Sequence, residues 1–447
     1  MVKLDEHPTV RAVRERLPRA DAADRSSPLD ADWVRRLCLE AGADDVGLVE
    51  IDRPELAEDR SGILATFPHA KSLVSFVCRM NREPIRSPAR SVANLEFHHT
   101  GDRVNDVARL LVAALERCGI RAMNPSMGFP MEMDRFPGKI WVLSHKLAAV
   151  AAGLGRMGVH RNVIHPKFGS FVLLGTVLID AVVSRYDRPL DYNPCLECKL
   201  CVAACPTGAI GADGAFDFSA CYTHNYREFM GGFTDWVERI ADSCDAKAYR
   251  RRVSDAESAS MWQSLSFGAN YKAAYCLAVC PAGEEVIPPY LDDSKRHVDE
   301  VVKPLQRKPE TIYVVAGSDA EGYVARRFPQ KRLERVGNGL RPSSVGQFLT
   351  GLPNVFQRGR SAGLDATYHF TFTGEEPGQA TVTICDKTIL VQDGHSGQAN
   401  VRITADSRTW LRFVRKEGSL VWALLTRRIR VSGPPTLLIR FSRCFPS

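Results

Sequence analysis

The sequence predicts a multidomain protein of mixed α/β and α+β class. Three observations carry this. Helical and extended segments alternate over residues 30–190, a cysteine-rich stretch follows at 191–285, and period-two alternation takes over after residue 366. At 447 residues the chain is long enough for two to four domains of roughly 100–200 residues each.

The elements follow in order. Residues 1–30, rich in charge, Pro and Ser, read as a mobile leader without an apolar core segment, so no secretory signal is expected. From Asp32 the spacing is helical (WVRRLCLEAGA), then extended (DDVGLVEI). Segment 72–78 (SLVSFVC) reads as a buried strand, and 102–118 as an amphipathic helix with Gly119 as its C-cap. A strand is expected at 139–143 (KIWVL), an alanine-rich helix at 146–152 and an apolar strand at 171–180. The polar, proline-containing stretch 286–310 reads as a linker between a unit at 191–285 and a C-terminal domain at 311–447. In that domain strands are expected at 366–373, 379–385, 399–404 and 427–431, with helices at 407–415, 419–426 and 436–442.

Composition is that of a globular protein, 45% hydrophobic and 25% charged, and the net charge of +7 is too thinly spread to argue for nucleic acid. No apolar run approaches the roughly 18 residues of a membrane span, and a cytoplasmic location is expected. There, the thirteen cysteines are not expected to form disulfides; six of them stand in two tight groups, which points to metal.

The chemistry lies in Cys195-x2-Cys198-x2-Cys201-x3-Cys205-Pro206, the bacterial ferredoxin spacing. Short x2 loops let three thiolates wrap one iron–sulfur cube, while the fourth cysteine ligates a second cluster. A zinc knuckle would instead need two CxxC pairs closing on one tetrahedral ion. Cys276-x3-Cys280-Pro281 supplies the end of the second set, and Cys221 lies between. The expected crossing gives Cys195, Cys198, Cys201 and Cys280 to one [4Fe-4S] cluster, and Cys205, Cys221 and Cys276 to the other. Ala273 stands where a further cysteine would complete the second set. Cys244 is the favoured fourth ligand; a [3Fe-4S] cluster and a non-cysteine ligand are the alternatives.

Gly153-Leu154-Gly155-Arg156-Met157-Gly158 matches G-x-G-x-x-G in letters, but it follows a helix rather than a strand, so a dinucleotide fingerprint is set aside. The run 145–184, joined to the ferredoxin motif, resembles the corrinoid-dependent reductases, namely the reductive dehalogenases and the epoxyqueuosine reductases. The matching residues are Ala152, Gly153, Leu154, Gly155, Gly158, Asn162 and Phe168-Gly169, and the likeness covers about residues 30–285. The resemblance implies a nitroreductase-like domain at 31–190 that binds cobalamin through Gly153, Leu154, Gly155, Gly158, Asn162 and Gly169. It also implies reduction of that cobalamin through the two clusters and an external ferredoxin or flavodoxin as electron donor. The chain departs from the pattern: Lys139 occupies the place of the aspartate acid of epoxyqueuosine reductases. The proton donor is left open among Asp134, Lys139 and His145, and His98-His99 reads as a helix-edge pair.

Residues 362–447 resemble the type-two sterol carrier proteins in the strand Tyr368–Phe372, the helix start ITADSRTWLRF and the strand RRIRVSG. This implies an α+β fold around an apolar tunnel, with Trp410, Phe413, Leu420, Trp422, Leu424 and Leu425 on the buried faces of its helices. Together these features lead to an iron–sulfur reductase acting on a hydrophobic substrate, such as a halogenated or oxygenated lipid. The competing reading is a non-catalytic electron carrier with a lipid-binding domain and no corrinoid.

Overall fold

The computed structural model describes residues 4–16 and 27–446. The expected leader 1–30 is helical at Pro8–Arg16; its residues 1–3 and 17–26 lie outside the described residues, and its end is tied to the fold, with Leu29 bridging to Val183.

The first unit is built on a four-stranded sheet of β1 (Asp45–Glu50), β2 (Ser72–Arg79), β3 (Ala122–Met123) and β4 (Val172–Ile179), ordered β1-β2-β4-β3 and antiparallel throughout. β2 is buried from Ser72 to Cys78 because helices cover both faces, so it reads as a continuous apolar run rather than an alternation. On one face lie α1 (Ala31–Glu40), N-capped by Asp30, and α2 (Arg90–Arg117). The second helix begins twelve residues earlier than its spacing suggested, and Gly119 at φ +75° follows its end. On the other face lies α3 (His145–Ala151), whose Ser144 cap accepts from the Leu147 N–H. Gly47 on β1 lets the strand touch the Ala152 carbonyl, since any Cβ there would overlap it. This contact seats the end of α3, and with it the glycine loop.

The expected strand at 139–143 is absent: these residues form bends. Lys139 is drawn to a buried carboxylate, Asp59, which also accepts the Ser144 N–H at 2.6 Å. Those bonds replace a sheet ladder.

The cysteine-rich unit carries α4 (Leu200–Ala204), α5 (Phe218–His224), α6 (Asp255–Phe267) and α7 (Tyr275–Ala278). Residues 286–310 are not a linker. They are a chain of short helical turns from Pro288 to Arg307 whose His297, Val302 and Leu305 are buried against the cluster region. The unit continues into a parallel pair, β5 (Thr311–Val315) and β6 (Arg332–Val336), joined by α8 (Asp319–Arg327). Ile312, Val314, Ala320 and Val324 share one core with Cys201, Cys205 and Tyr275.

A separate core begins at α9 (Val345–Val355). Its sheet, ordered β9-β8-β7-β10-β11, comprises β7 (Ala366–Thr373), β8 (Gly378–Cys385), β9 (Thr388–Asp393), β10 (Val401–Asp406) and β11 (Ile429–Ser432). β7 and β10 run parallel, and the other neighbours antiparallel. Tyr368, Phe370 and Phe372 point inward at alternate positions and meet Phe348, Trp410 and Phe441. α10 (Ser407–Val414) and α12 (Pro435–Arg443) cover this core, while α11 (Leu420–Leu425) buries only Ala423. The expected burial of Trp422, Leu424 and Leu425 is corrected: they are exposed, at 54%, 40% and 78%.

Candidate functional site

Two groups of thiols form where the cysteine spacing brings distant segments together. The loop before α4 places Glu197 and Lys199 at φ +50° and +60°, a left-handed winding that curls the chain around Cys195 and Cys198. Cys201 sits on α4, and Cys280 follows α7. These four cysteines line one void together with Val159, His160 and Pro281. Burial pushes the Cys201 thiol up to about 12 and the Cys280 thiol up to about 11. Ser170 hydrogen-bonds Cys280 and holds the Leu277 carbonyl at 3.1 Å.

The second group consists of Cys205, Cys221 and Cys276. Burial, and then the neighbouring Cys205, push Cys276 up to about 12; burial, Cys276 and Cys205 push Cys221 well above the ordinary thiol range. Ala273, in the place of a further cysteine, is buried, and its N–H donates to Asn225 Oδ1 at 2.9 Å. Cys244 lies exposed in the turn between helices Gly231–Ala241 and Ala246–Arg252. The hydroxyl of Tyr226 is close enough to feel both Cys221 and Cys276.

Crowded thiols in a dry environment stay protonated unless a strong cation binds them. Among the described residues, no three His, Cys, Asp or Glu side chains converge tightly enough for one metal ion. The residues present fit thiolate-held iron–sulfur clusters, and Cys276 also acts electrostatically on Cys201 of the first group.

Lys146 and His160 carried no sequence signal, whereas Asn162 belongs to the motif loop. Lys146 donates through Nζ to Asn162 Oδ1 at 2.9 Å and to the Arg161 carbonyl at 2.8 Å, and its charge acts on Cys276 and Cys221. Asn162 Nδ2 stands 3.9 Å from Cys276 Sγ. His160 faces the first group.

The glycines serve the chain's own packing. A Cβ at Gly153 would meet the Arg188 carbonyl, one at Gly155 the Ile164 carbonyl, and one at Gly158 the Ile164 side chain. Gly169, at φ +65°, presses against the Ala282 carbonyl two residues past Cys280, and Leu154 is buried beneath the loop. The loop thus ties the sheet unit to the cluster unit.

A cavity of about 600 Å³ lies elsewhere, between the start of α2 and α6. Its walls include His224, one turn past Cys221, and Lys272, four residues before Cys276. The same two segments therefore carry the second thiol group and line the cavity. Arg90, His98 and His224 line it too; the Arg90 guanidinium lies over the Tyr275 ring at 5.3 Å, and its nitrogens and both histidine Nε2 atoms are buried with no hydrogen-bond partner among the described residues. Burial holds His224 down at about 3. Those orphaned donors and acceptors, and the volume, fit a large polar cofactor at this cavity. Phe97, Tyr226, Phe229 and Tyr271 form one aromatic cluster; Phe97 and Phe229 lie 4.9 and 4.6 Å from Tyr271, which itself lines the cavity.

The three candidate proton donors do not converge. Asp134 is exposed, with its carbonyl accepting from Gln347 Nε2 at 3.0 Å. Lys139 is paired with Asp59, which is 3% exposed. His145 has both ring nitrogens engaged, Nδ1 with Thr176 Oγ1 and Nε2 with the Ser126 carbonyl, each at 2.9 Å, and burial lowers its pKa.

Fold and site together define an iron–sulfur protein joined to a separate α+β carrier domain. Residues 189–211 match a 4Fe-4S binding domain, and residues 352–446 match the SCP-2 sterol transfer family. The part before the carrier domain is related in sequence to the epoxyqueuosine reductases. The enzyme of Cyclobacterium marinum is 37% identical over 118 residues, covering 24% of this chain and 38% of its own. That of Escherichia coli K12 is 27% identical over 239 residues, covering 47% and 61%. The chain thus spans between about two-fifths and three-fifths of the length of these curated relatives. Two solved structures are similar: a catabolic reductive dehalogenase (TM-score 0.34, 20% identity, 43% of this chain and 27% of the other), and an epoxyqueuosine reductase with a tRNA stem loop (TM-score 0.35, 18% identity, 62% and 78%). No helix among the described residues is long and apolar enough to cross a membrane.

Proposed function

We propose that this chain is an iron–sulfur reductase that moves single electrons through two clusters to an acceptor in the 600 Å³ cavity, for reductive chemistry on a hydrophobic substrate. What supports this reading is that the segments carrying Cys221 and Cys276 also line the cavity. The first thiol group lies beneath an exposed loop at Tyr192, Leu196 and Glu197, where an external ferredoxin or flavodoxin would dock. The second group shares its supporting segments with the cavity wall.

The relatives point to a corrinoid as the acceptor. Arg90, His98 and His224 would hold it at the cavity through their unpartnered nitrogens. When bound, it supplies a strongly reducing metal centre loaded one electron at a time. Around it this chain excludes water with the Phe97–Tyr271 aromatic cluster. The C-terminal domain, with its aromatic core and the exposed apolar face of α11, would bring a lipid-like substrate. Dehalogenation and removal of oxygen are both compatible, and a tRNA remains a substrate class to test because a solved epoxyqueuosine reductase carries one.

A second reading is an electron carrier without a corrinoid. It is favoured by Lys139 and His145, which already have partners and offer no free proton donor. The two readings separate on anaerobic protein purified from cells supplied with cobalamin. Near-stoichiometric cobalt, with turnover of halogenated or epoxide-bearing lipids or of an epoxyqueuosine-bearing stem loop, supports the reductase. Loaded clusters with no cobalt after reconstitution leave the carrier.

A further inference from the structure

We infer that His160 is a positioning residue for the first cluster, donating an N–H···S hydrogen bond from Nε2 and raising that cluster's reduction potential. The inference rests on the reading of Cys195, Cys198, Cys201 and Cys280 as its ligands.

The imidazole is 4% exposed and lines the same void as those four cysteines. Its Nδ1 accepts the Asn162 backbone N–H at 3.1 Å, so Nδ1 carries no proton and the single ring proton sits on Nε2. That nitrogen is buried and finds no partner among the described residues. A buried N–H left unpaired costs free energy comparable to a lost hydrogen bond, so a native structure provides an acceptor for it. The side-chain acceptors lining this void are the four cysteine sulfurs and the Glu197 carboxylate; Glu197 is exposed, which leaves the sulfurs as the acceptors for a buried N–H.

The ring is held from both sides. Gly158 gives it room, since a Cβ there would stand 3.1 Å from His160 Cε1. The same turn, Gly158 to Asn162, is closed by the Gly158 N–H donating to the Asn162 carbonyl at 2.9 Å. The turn therefore reaches both clusters, with the Asn162 side chain at Cys276 and the His160 ring at the first group. A donor to cluster sulfur favours the reduced, more negative state and makes that cluster easier to reduce. At the surface end of the relay, this eases electron entry from the external donor.

The test is an EPR-monitored potentiometric titration of anaerobic full-length protein. His160→Leu removes the donor and shifts the one-electron equilibrium of the first cluster about tenfold toward oxidation, about 59 mV more negative. The second cluster's potential stays unchanged, and His160→Gln, which keeps an N–H donor, recovers most of the shift. An unchanged first-cluster potential in a His160→Leu protein with full iron content overturns the inference. Should that variant fail to assemble its clusters, reduced wild-type protein labelled with 15N-histidine decides by pulsed ENDOR: a histidine nitrogen coupled to the first cluster supports the bond, and its absence overturns it. Wild-type protein lacking iron at Cys195, Cys198 and Cys201 would instead overturn the underlying reading.

Discussion

Lys146 Nζ donates to Asn162 Oδ1 at 2.9 Å, and the nitrogen of that same amide stands 3.9 Å from Cys276 Sγ. A cation is thereby fixed behind the second thiol group, with Asn162 relaying its polarity. A positive charge stabilises the more negative, reduced cluster by about 1–2 kcal/mol at an effective dielectric near 20. Lys146→Met therefore lowers the potential of the second cluster and spares the first. EPR redox titration checks this, and equal shifts in both clusters would contradict it.

The crossing of ligands separates the effects of two cysteines only four residues apart. Cys280→Ser removes the cluster held by Cys195, Cys198 and Cys201, while Cys276→Ser removes the one held by Cys205 and Cys221. Each variant loses roughly half its iron and retains one EPR signal, and the retained signals differ. The same signal surviving in both would rule the crossing out.

Gly169→Ala places a methyl group on the Ala282 carbonyl at a positive φ. Overpacking and backbone strain together cost about 2–5 kcal/mol. Calorimetry shows a lower Tm, and Cys280, two residues from the displaced carbonyl, loses iron first on mild acidification.

His224, buried and held neutral with a pKa of about 3, gives a pH dependence with a definite sign. Its folded pKa lies below the unfolded value near 6.5, so the unfolded chain binds the extra proton in between. Its contribution is complete above about pH 6.5 and is lost progressively as pH falls toward 3. Denaturant midpoints at pH 7 and pH 5 show His224→Gln losing less stability on acidification than wild type, by on the order of 1–2 kcal/mol.

Val421, Trp422 and Leu425 on α11 are exposed at 67%, 54% and 78%. Replacing all three with Ser leaves Tm nearly unchanged, because surface positions contribute within about 0.5 kcal/mol each. It lowers uptake of a fluorescent acyl lipid by the C-terminal domain. Unchanged uptake would remove α11 from the lipid route.

How much of this was legible in the sequence depends on whether the determinants were local. The x2 and x3 cysteine spacings are set by short loops, and Cys195, Cys198, Cys201 and Cys280 line one void. The strand at 72–78 and the alternating strand at 366–373 were legible because their periods match their burial. The segment 139–143 misled because an apolar run says nothing of Asp59, eighty residues away, which captures Lys139. The stretch 286–310 misled because Pro289 and Pro304 read as breakers, although each sits in the first turn of a short helix, where its missing N–H costs nothing. The outward face of α11 was illegible since an all-apolar six-residue helix has no polar face to mark outside. The cavity joins five segments far apart in sequence, and no local pattern announces it.

The central claim, two clusters in series, is tested most directly by Mössbauer spectroscopy with iron quantification on anaerobically purified full-length protein. The account predicts about seven to eight irons per chain, in two populations that reduce at separate potentials. About four irons in a single population, or iron replaced by zinc with no redox change, would contradict it.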